Sequence, residues 1–254
     1  MPDDLLASLD GPVLRITLNQ PRRRNALTPE IARGIAAHLD GVEENSTAEL
    51  VVLSGAGGHF CAGLDLQWLR SLGDIPPVHD LQRGLVDFQS AVLAIVRCSV
   101  PVIAAIQGTT AGFGLDLAVA CDLRIAGGGS KFTSAFARMG LVPDGGSTFT
   151  LPRLIGVGPT MRLLMAGETL DAEQARAIGL VDEVVDDAAL EDAVRAMSAR
   201  ILDGAPASIR AIKRLVRSGE LGALEQTLTT EGAAQLQALQ SPEFQRRLES
   251  FLAR

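Results

Sequence analysis

The chain has 254 residues, 47% of them hydrophobic, with 23 Lys and Arg against 30 Asp and Glu for a formal net charge of −7. That apolar share is ample for the core of one α/β domain, and the acidic balance argues against nucleic acid, whose recognition favours a basic footprint. No apolar stretch is long enough to span a bilayer, and the acidic start MPDDLLASLD lacks the basic, apolar build of a signal peptide, so a cytoplasmic protein with no membrane partner is expected.

Val13–Asn19 (VLRITLN) alternates apolar and polar residues and reads as a strand with one face on a core. After Pro21 and three arginines, Thr28 can cap a helix that has Pro29 in its first position and Ile31, Ile35 and Leu39 at helical spacing. Leu50–Leu53 is a buried-type strand that runs into the glycine-rich SGAGGHFCAGLDL. A long helix follows from about Val78 to Cys98, then a strand at Pro101–Ile106, a glycine-rich helix start at Gly112–Leu117 and a strand at Asp122–Ala126. The last third is helical. Leu190, Val194, Met197 and Ile201 share a face, as do Ile209, Ile212, Leu215 and Val216, and then Leu224, Leu228, Leu236 and Leu239. Strands alternating with helices, then helices alone, indicate an α/β core over 1–200 and a C-terminal helical region over 201–254, which would cover the site or pack on neighbouring subunits.

Cys61, Cys98 and Cys121 are odd in number and lack metal-type spacing, so reduced thiols are expected; His38, His59 and His79 show no ligand pattern either, and no metal is expected. Two strand-to-helix turns carry the glycines, His59–Leu66 and Gly108–Ala118, and such turns present free backbone N–H groups to anions. Neither completes the GxGxxG fingerprint of a dinucleotide site. There is no GK[ST] and no GxSxG, and a chain without tyrosine cannot be a tyrosine-dependent reductase. On spacing alone, the glycines could equally serve tight strand–helix packing.

The pair HFCAGLDL and PVIAAIQGTTAGFGLDLAVACDLRIA resembles, in order and separation, the two oxyanion-hole segments of the crotonase (enoyl-CoA hydratase/isomerase) superfamily. KFTSAFARMGLVPDGGSTFTLPRLIG resembles the next active-site segment. PRRRNAL, MAGETLDAEQARAIGLVDEVV and the helical tail extend the likeness over nearly the whole chain. The resemblance implies a spiral of ββα units with a helical C-terminal region, an acyl-CoA thioester substrate with no separate cofactor, and a homotrimer or dimer of trimers. It places the oxyanion donors at the backbone N–H groups of Leu64 and Phe113, and lines the thioester and CoA path with Arg24, Ala26, Ala62, Gly63, Asp65, Leu66 and Gly112. Lys213 and Phe251 are further candidates near the adenine. Asp65 is expected to hold its turn, and His59 to be structural.

Hydration in this family uses two glutamates, and here those positions hold Asp116 and Phe136, so the standard pair is broken. Double-bond migration needs one carboxylate, which removes a proton α to the thioester and returns it at the γ-carbon. Asp144, in GLVPDGGST, matches the acidic position of several isomerases, and the run through TLPRLIG looks most like the isomerases of phenylacetate degradation. Asp144 is therefore the first candidate base and Asp116 the second, although Pro-Asp-Gly is also a strong turn signal and Asp116 also suits an early helix position. The alternatives are a hydratase and a CoA-thioester binder without catalysis. A dehalogenase relative uses a histidine on the long helix, where this chain has about Gln89, which disfavours that chemistry.

Overall fold

The computed structural model describes residues 4–45, 47–73 and 76–252. The larger sheet runs, edge to edge, β1 (Leu5–Asp10), β2 (Val13–Leu18), β3 (Leu50–Gly55), β4 (Val102–Ile106), β6 (Leu123–Gly127) and β9 (Glu183–Val185). β1 and β2 are antiparallel, and every later pairing is parallel. A smaller sheet joins β5 (Thr109–Ala111), β7 (Lys131–Thr133) and β8 (Thr169–Asp171). The helices are α1 (Pro29–Asn45), α2 (Leu66–Ser71), α3 (Val78–Arg97), α4 (Phe113–Ala120), α5 (Ser147–Ile155), α6 (Val157–Ala166), α7 (Ala172–Ala177), α8 (Leu190–Leu202), α9 (Pro206–Val216), α10 (Glu220–Leu239) and α11 (Pro242–Leu252).

β3 and β4 read as unbroken apolar runs because both faces of the parallel sheet are covered. Val51, Leu53, Val102, Ala104 and Ile106 point into the main core with Ile31, Ile35 and Leu39 of α1. Leu50, Val52, Ile103 and Ala105 point the other way, onto Leu190 and Val194 of α8. This period-two division holds the sheet rigidly between two helical layers, and the functional turns leave its C-terminal edge. The α/β spiral with helices at its C-terminal end is the architecture expected from the sequence.

α10 is not a separate layer, since Leu224 and Leu228 belong to the main core. Its end joins α11 in a third cluster, where Leu239, Phe244 and Leu248 meet Leu69, Leu81 and Phe136. α9 behaves differently: the apolar residues Ile212, Leu215 and Val216 are exposed, and the helix is held by its cationic face. Lys213 Nζ pairs with Asp122 at 2.6 Å and donates to the carbonyls of Val100 and Ile95, while Arg217 pairs with the other Asp122 oxygen.

β1 lies in a segment read from the sequence only for its acidity. LLASLD forms an edge strand with one buried residue, Leu5, which leaves little hydrophobic pattern to see. β5, β7, β8 and β9 are three residues each, too short for a periodicity to emerge.

Candidate active site

The two glycine-rich turns meet backbone to backbone. Phe60 and Cys61 donate to the carbonyls of Gln107 and Thr109, and Ala111 donates back to Cys61. A β-carbon on Gly63 (φ +90°) would sit 2.7 Å from the Ala111 oxygen and 3.2 Å from the Phe113 nitrogen, and one on Gly114 would sit 2.4 Å from the Cys61 oxygen. Only glycine permits that approach. Asp65 caps α2 by accepting from Gln67 and Trp68 N–H, and its other oxygen receives Arg23 at 2.5 Å. Asn25, also buried, ties the arginine loop to the first turn by donating to the carbonyls of Ala56 and His59 and accepting from Gln20 N–H. His59 accepts from Thr109 N–H through Nδ1, a structural bond.

These constraints leave Leu64 and Phe113 at the wall of a cavity of about 620 Å³. Among the described residues, neither N–H donates to a protein acceptor. Two preorganised N–H groups beside each other can hold a developing oxyanion, each typically worth about 3–4 kcal/mol. The remaining wall is largely apolar. Trp68, Phe88, Phe113 and Phe136 contribute aromatic surface, with the Phe88 and Phe113 rings 5.2 Å apart. Arg247 and Phe251 of α11 also line it, so the C-terminal helix covers the cavity of its own chain.

Asp144 is the single carboxylate on that wall among the described residues. It sits in a turn held from three sides. Gln89 of α3 donates to its carbonyl at 3.1 Å and to that of Leu228 at 2.9 Å. Gln235 of α10 donates to its Oδ2 at 3.1 Å and accepts from Val142 N–H at 3.1 Å. Glu231, also of α10, accepts from Gly146 N–H at 2.6 Å, from Thr148 N–H at 3.0 Å and from the Thr148 hydroxyl at 2.5 Å. Glu231 thus supplies the cap that the glycine at the start of α5 lacks.

Burial pushes the Asp144 carboxyl up to about 7; the Gln235 hydrogen bond opposes this, and the Glu231 charge adds to it. A carboxyl poised near neutrality suits proton abstraction and return at physiological pH. Asp116 is raised well above the carboxylate range by burial first and then by the charges of Asp144 and Glu231.

A family model described as enoyl-CoA hydratase/isomerase matches residues 9–254. The chain belongs to this family. The 1,2-epoxyphenylacetyl-CoA isomerase of Escherichia coli K12 is 33% identical over 100% of this chain and 97% of its own length. The probable enoyl-CoA hydratase EchA14 of Mycobacterium tuberculosis is 37% identical over 97% and 96% respectively. Among solved structures, the enoyl-CoA hydratase of Bacillus halodurans superposes with a TM-score of 0.91 at 27% identity, covering 98% of this chain and 100% of that one.

Within this enoyl-CoA hydratase/isomerase framework, the structure brings Ala62, Leu64, Leu66, Gly112, Phe113 and Asp144 to one cavity. Gly63 and Asp65 lie behind that wall as the glycine contact and the helix cap. Ala26 is buried beside them and Arg24 is exposed at the arginine loop, its carbonyl accepting from Ala62 N–H. Asp116 is not on the cavity wall: it is 1% exposed and accepts from Gly145 N–H at 3.1 Å, packed behind the Asp144 turn. Phe136 is on the wall. Lys213 lies in its buried ion cluster rather than at a surface where adenine could reach it.

Glu231 and Gln235 were not found by sequence reasoning. Their signal was present: with Leu224, Leu228 and Leu239 they continue one helical stripe, so two polar residues occupy positions of a buried face.

Proposed function

We propose that the protein moves a double bond in an unsaturated acyl-CoA, from the β,γ to the α,β position or the reverse, through a thioester enolate. The observation that carries this reading is Asp144, the single carboxylate among the described residues of an apolar cavity wall that Leu64 and Phe113 also line, their N–H groups without a protein acceptor among those residues. Leu64 and Phe113 N–H would receive the thioester oxygen as charge develops there. Asp144 would take the α-proton and return it at the γ-carbon. The chemistry balances with no second acid, since Asp144 takes one proton from carbon and delivers one to carbon, its carboxyl exchanging with solvent in between. The aromatic lining and the similarity to an epoxyphenylacetyl-CoA isomerase favour a compact or cyclic acyl group. Arg24, Ala26 and the Ala62–Leu66 turn would carry the CoA moiety. The exposed apolar face of α9 suits a subunit contact in a homotrimer or dimer of trimers.

Hydration of a 2-enoyl-CoA is the second reading, favoured by the hydratase relatives. It needs a second carboxyl group, and Asp116 would have to reach the substrate from behind Gly145. One incubation separates the two. A β,γ-unsaturated acyl-CoA and an α,β-unsaturated one are each followed by NMR in deuterated water. Double-bond migration with deuterium entering the carbon skeleton is expected; a 3-hydroxyacyl-CoA would establish hydration instead.

A further inference from the structure

Gln235 is 2% exposed and lines the cavity beside Asp144. Its amide has two ends with opposite hydrogen-bonding character, and the fold decides which end faces which partner. Val142 N–H can only donate, so the group 3.1 Å from it must be the Gln235 carbonyl oxygen. The NH₂ then faces Asp144 Oδ2, also at 3.1 Å. An NH₂ cannot accept, so Oδ2 must be an acceptor in both protonation states of the carboxyl. The other oxygen, Oδ1, has no hydrogen-bond partner within the described protein and is buried.

We propose that Gln235 is a positioning residue for the proton transfer, fixing the orientation of the Asp144 carboxyl through Oδ2 and stabilising its charged form. This rests on the reading of Asp144 as the base. The Val142 backbone, through Gln235, therefore fixes the orientation of the Asp144 carboxyl. Gln89 and Glu231 hold the same turn by its main chain and touch neither carboxyl oxygen of Asp144 by hydrogen bond.

The test uses the full-length protein and two variants. Gln235→Met keeps the bulk and removes both hydrogen bonds; Gln235→Glu keeps the acceptor for Val142 N–H, so the turn remains held if the methionine variant fails to fold. Asp144 is titrated directly by carboxyl-¹³C NMR of aspartate-labelled protein, its signal assigned by its absence in Asp144→Asn. In the same variants, isomerisation of a β,γ-unsaturated acyl-CoA is measured against pH. We expect the Asp144 titration to move about one unit to higher pH in both variants, with the acid limb of kcat moving alike. We also expect kcat to fall at least about tenfold while KM changes less than about threefold. An Asp144 titration and pH profile unchanged by either substitution would overturn the proposal. If the titration shifts as expected but the wild-type protein isomerises no acyl-CoA, the functional reading fails while the coupling of Gln235 to Asp144 stands.

Discussion

Glu231 and Asp144 put two carboxyl groups behind one short turn, and they are satisfied very differently. Glu231 accepts three hydrogen bonds from Gly146 and Thr148, whereas the Asp144 side chain receives one, from Gln235. The better-solvated carboxylate keeps its charge more readily, and that charge disfavours a second one nearby. Glu231 thereby has two effects on the site: it caps the start of α5, and it helps hold Asp144 near neutrality.

Replacing Glu231 with Gln should separate these effects. Removal of the charge lowers the Asp144 pKa, so the acid limb of the isomerisation profile should move to lower pH. Stability should fall, by about 1–3 kcal/mol, because an amide NH₂ cannot accept from a main-chain N–H. A pH–rate profile with a denaturant titration reads both. An acid limb that stays in place would show that the Glu231 charge does not reach Asp144.

Asp144→Asn should abolish isomerisation and leave acyl-CoA binding nearly intact. It should also stabilise the fold above mildly acidic pH. The Asp144 carboxyl has a higher pKa in the native state, about 7, than in the unfolded chain, near 3.8. The unfolded chain therefore releases its proton first as pH rises. The native state loses stability across that interval and no further above it. The asparagine variant escapes the loss, by up to about 4 kcal/mol. Thermal unfolding at several pH values should show the two proteins diverging between about pH 4 and 7 and parallel beyond.

The turns around Gly63 and Gly112 were legible in the sequence because glycine clusters after apolar strands have few physical uses, and the family pattern selects among them. Asp144 was legible as a turn residue from its Pro-Asp-Gly context, and the structure sets that turn at the cavity wall. The residues that hold its turn were not. Gln89, Glu231 and Gln235 come from helices far away in sequence, and a polar side chain on a helix ordinarily faces water. α9 misled in the opposite sense: its apolar stripe points outward and its lysine inward, because Asp122 and the carbonyls of Ile95 and Val100 offer the lysine a complete partner set.

That inverted helix yields a clean distinction between a binding and a structural role. Lys213→Met should destabilise the protein by about 3–5 kcal/mol, since Asp122 would keep only Arg217 as a cationic partner in a largely buried site. The KM for acyl-CoA at a temperature where the variant is folded should be unchanged. An increase in KM without loss of stability would instead return Lys213 to the adenine site.

The approach of the two turns gives the most direct test of the oxyanion assignment. Gly63→Ala places a methyl group 2.7 Å from the Ala111 carbonyl, which is main chain and cannot swing aside, and demands φ +90° from an alanine. The turns must part, and Leu64 N–H moves away from Phe113 N–H. Loss of one such donor costs about 10²–10³ in kcat. Gly58 provides the control: it also has positive φ, but a β-carbon there meets nothing within 4 Å. Gly58→Ala carries the backbone strain without the clash, so it should lose some stability and keep most of its turnover. Steady-state kinetics beside thermal unfolding for the two variants decides the matter. Equal activity in both would mean that the Leu64 and Phe113 N–H groups do not act together on the thioester oxygen.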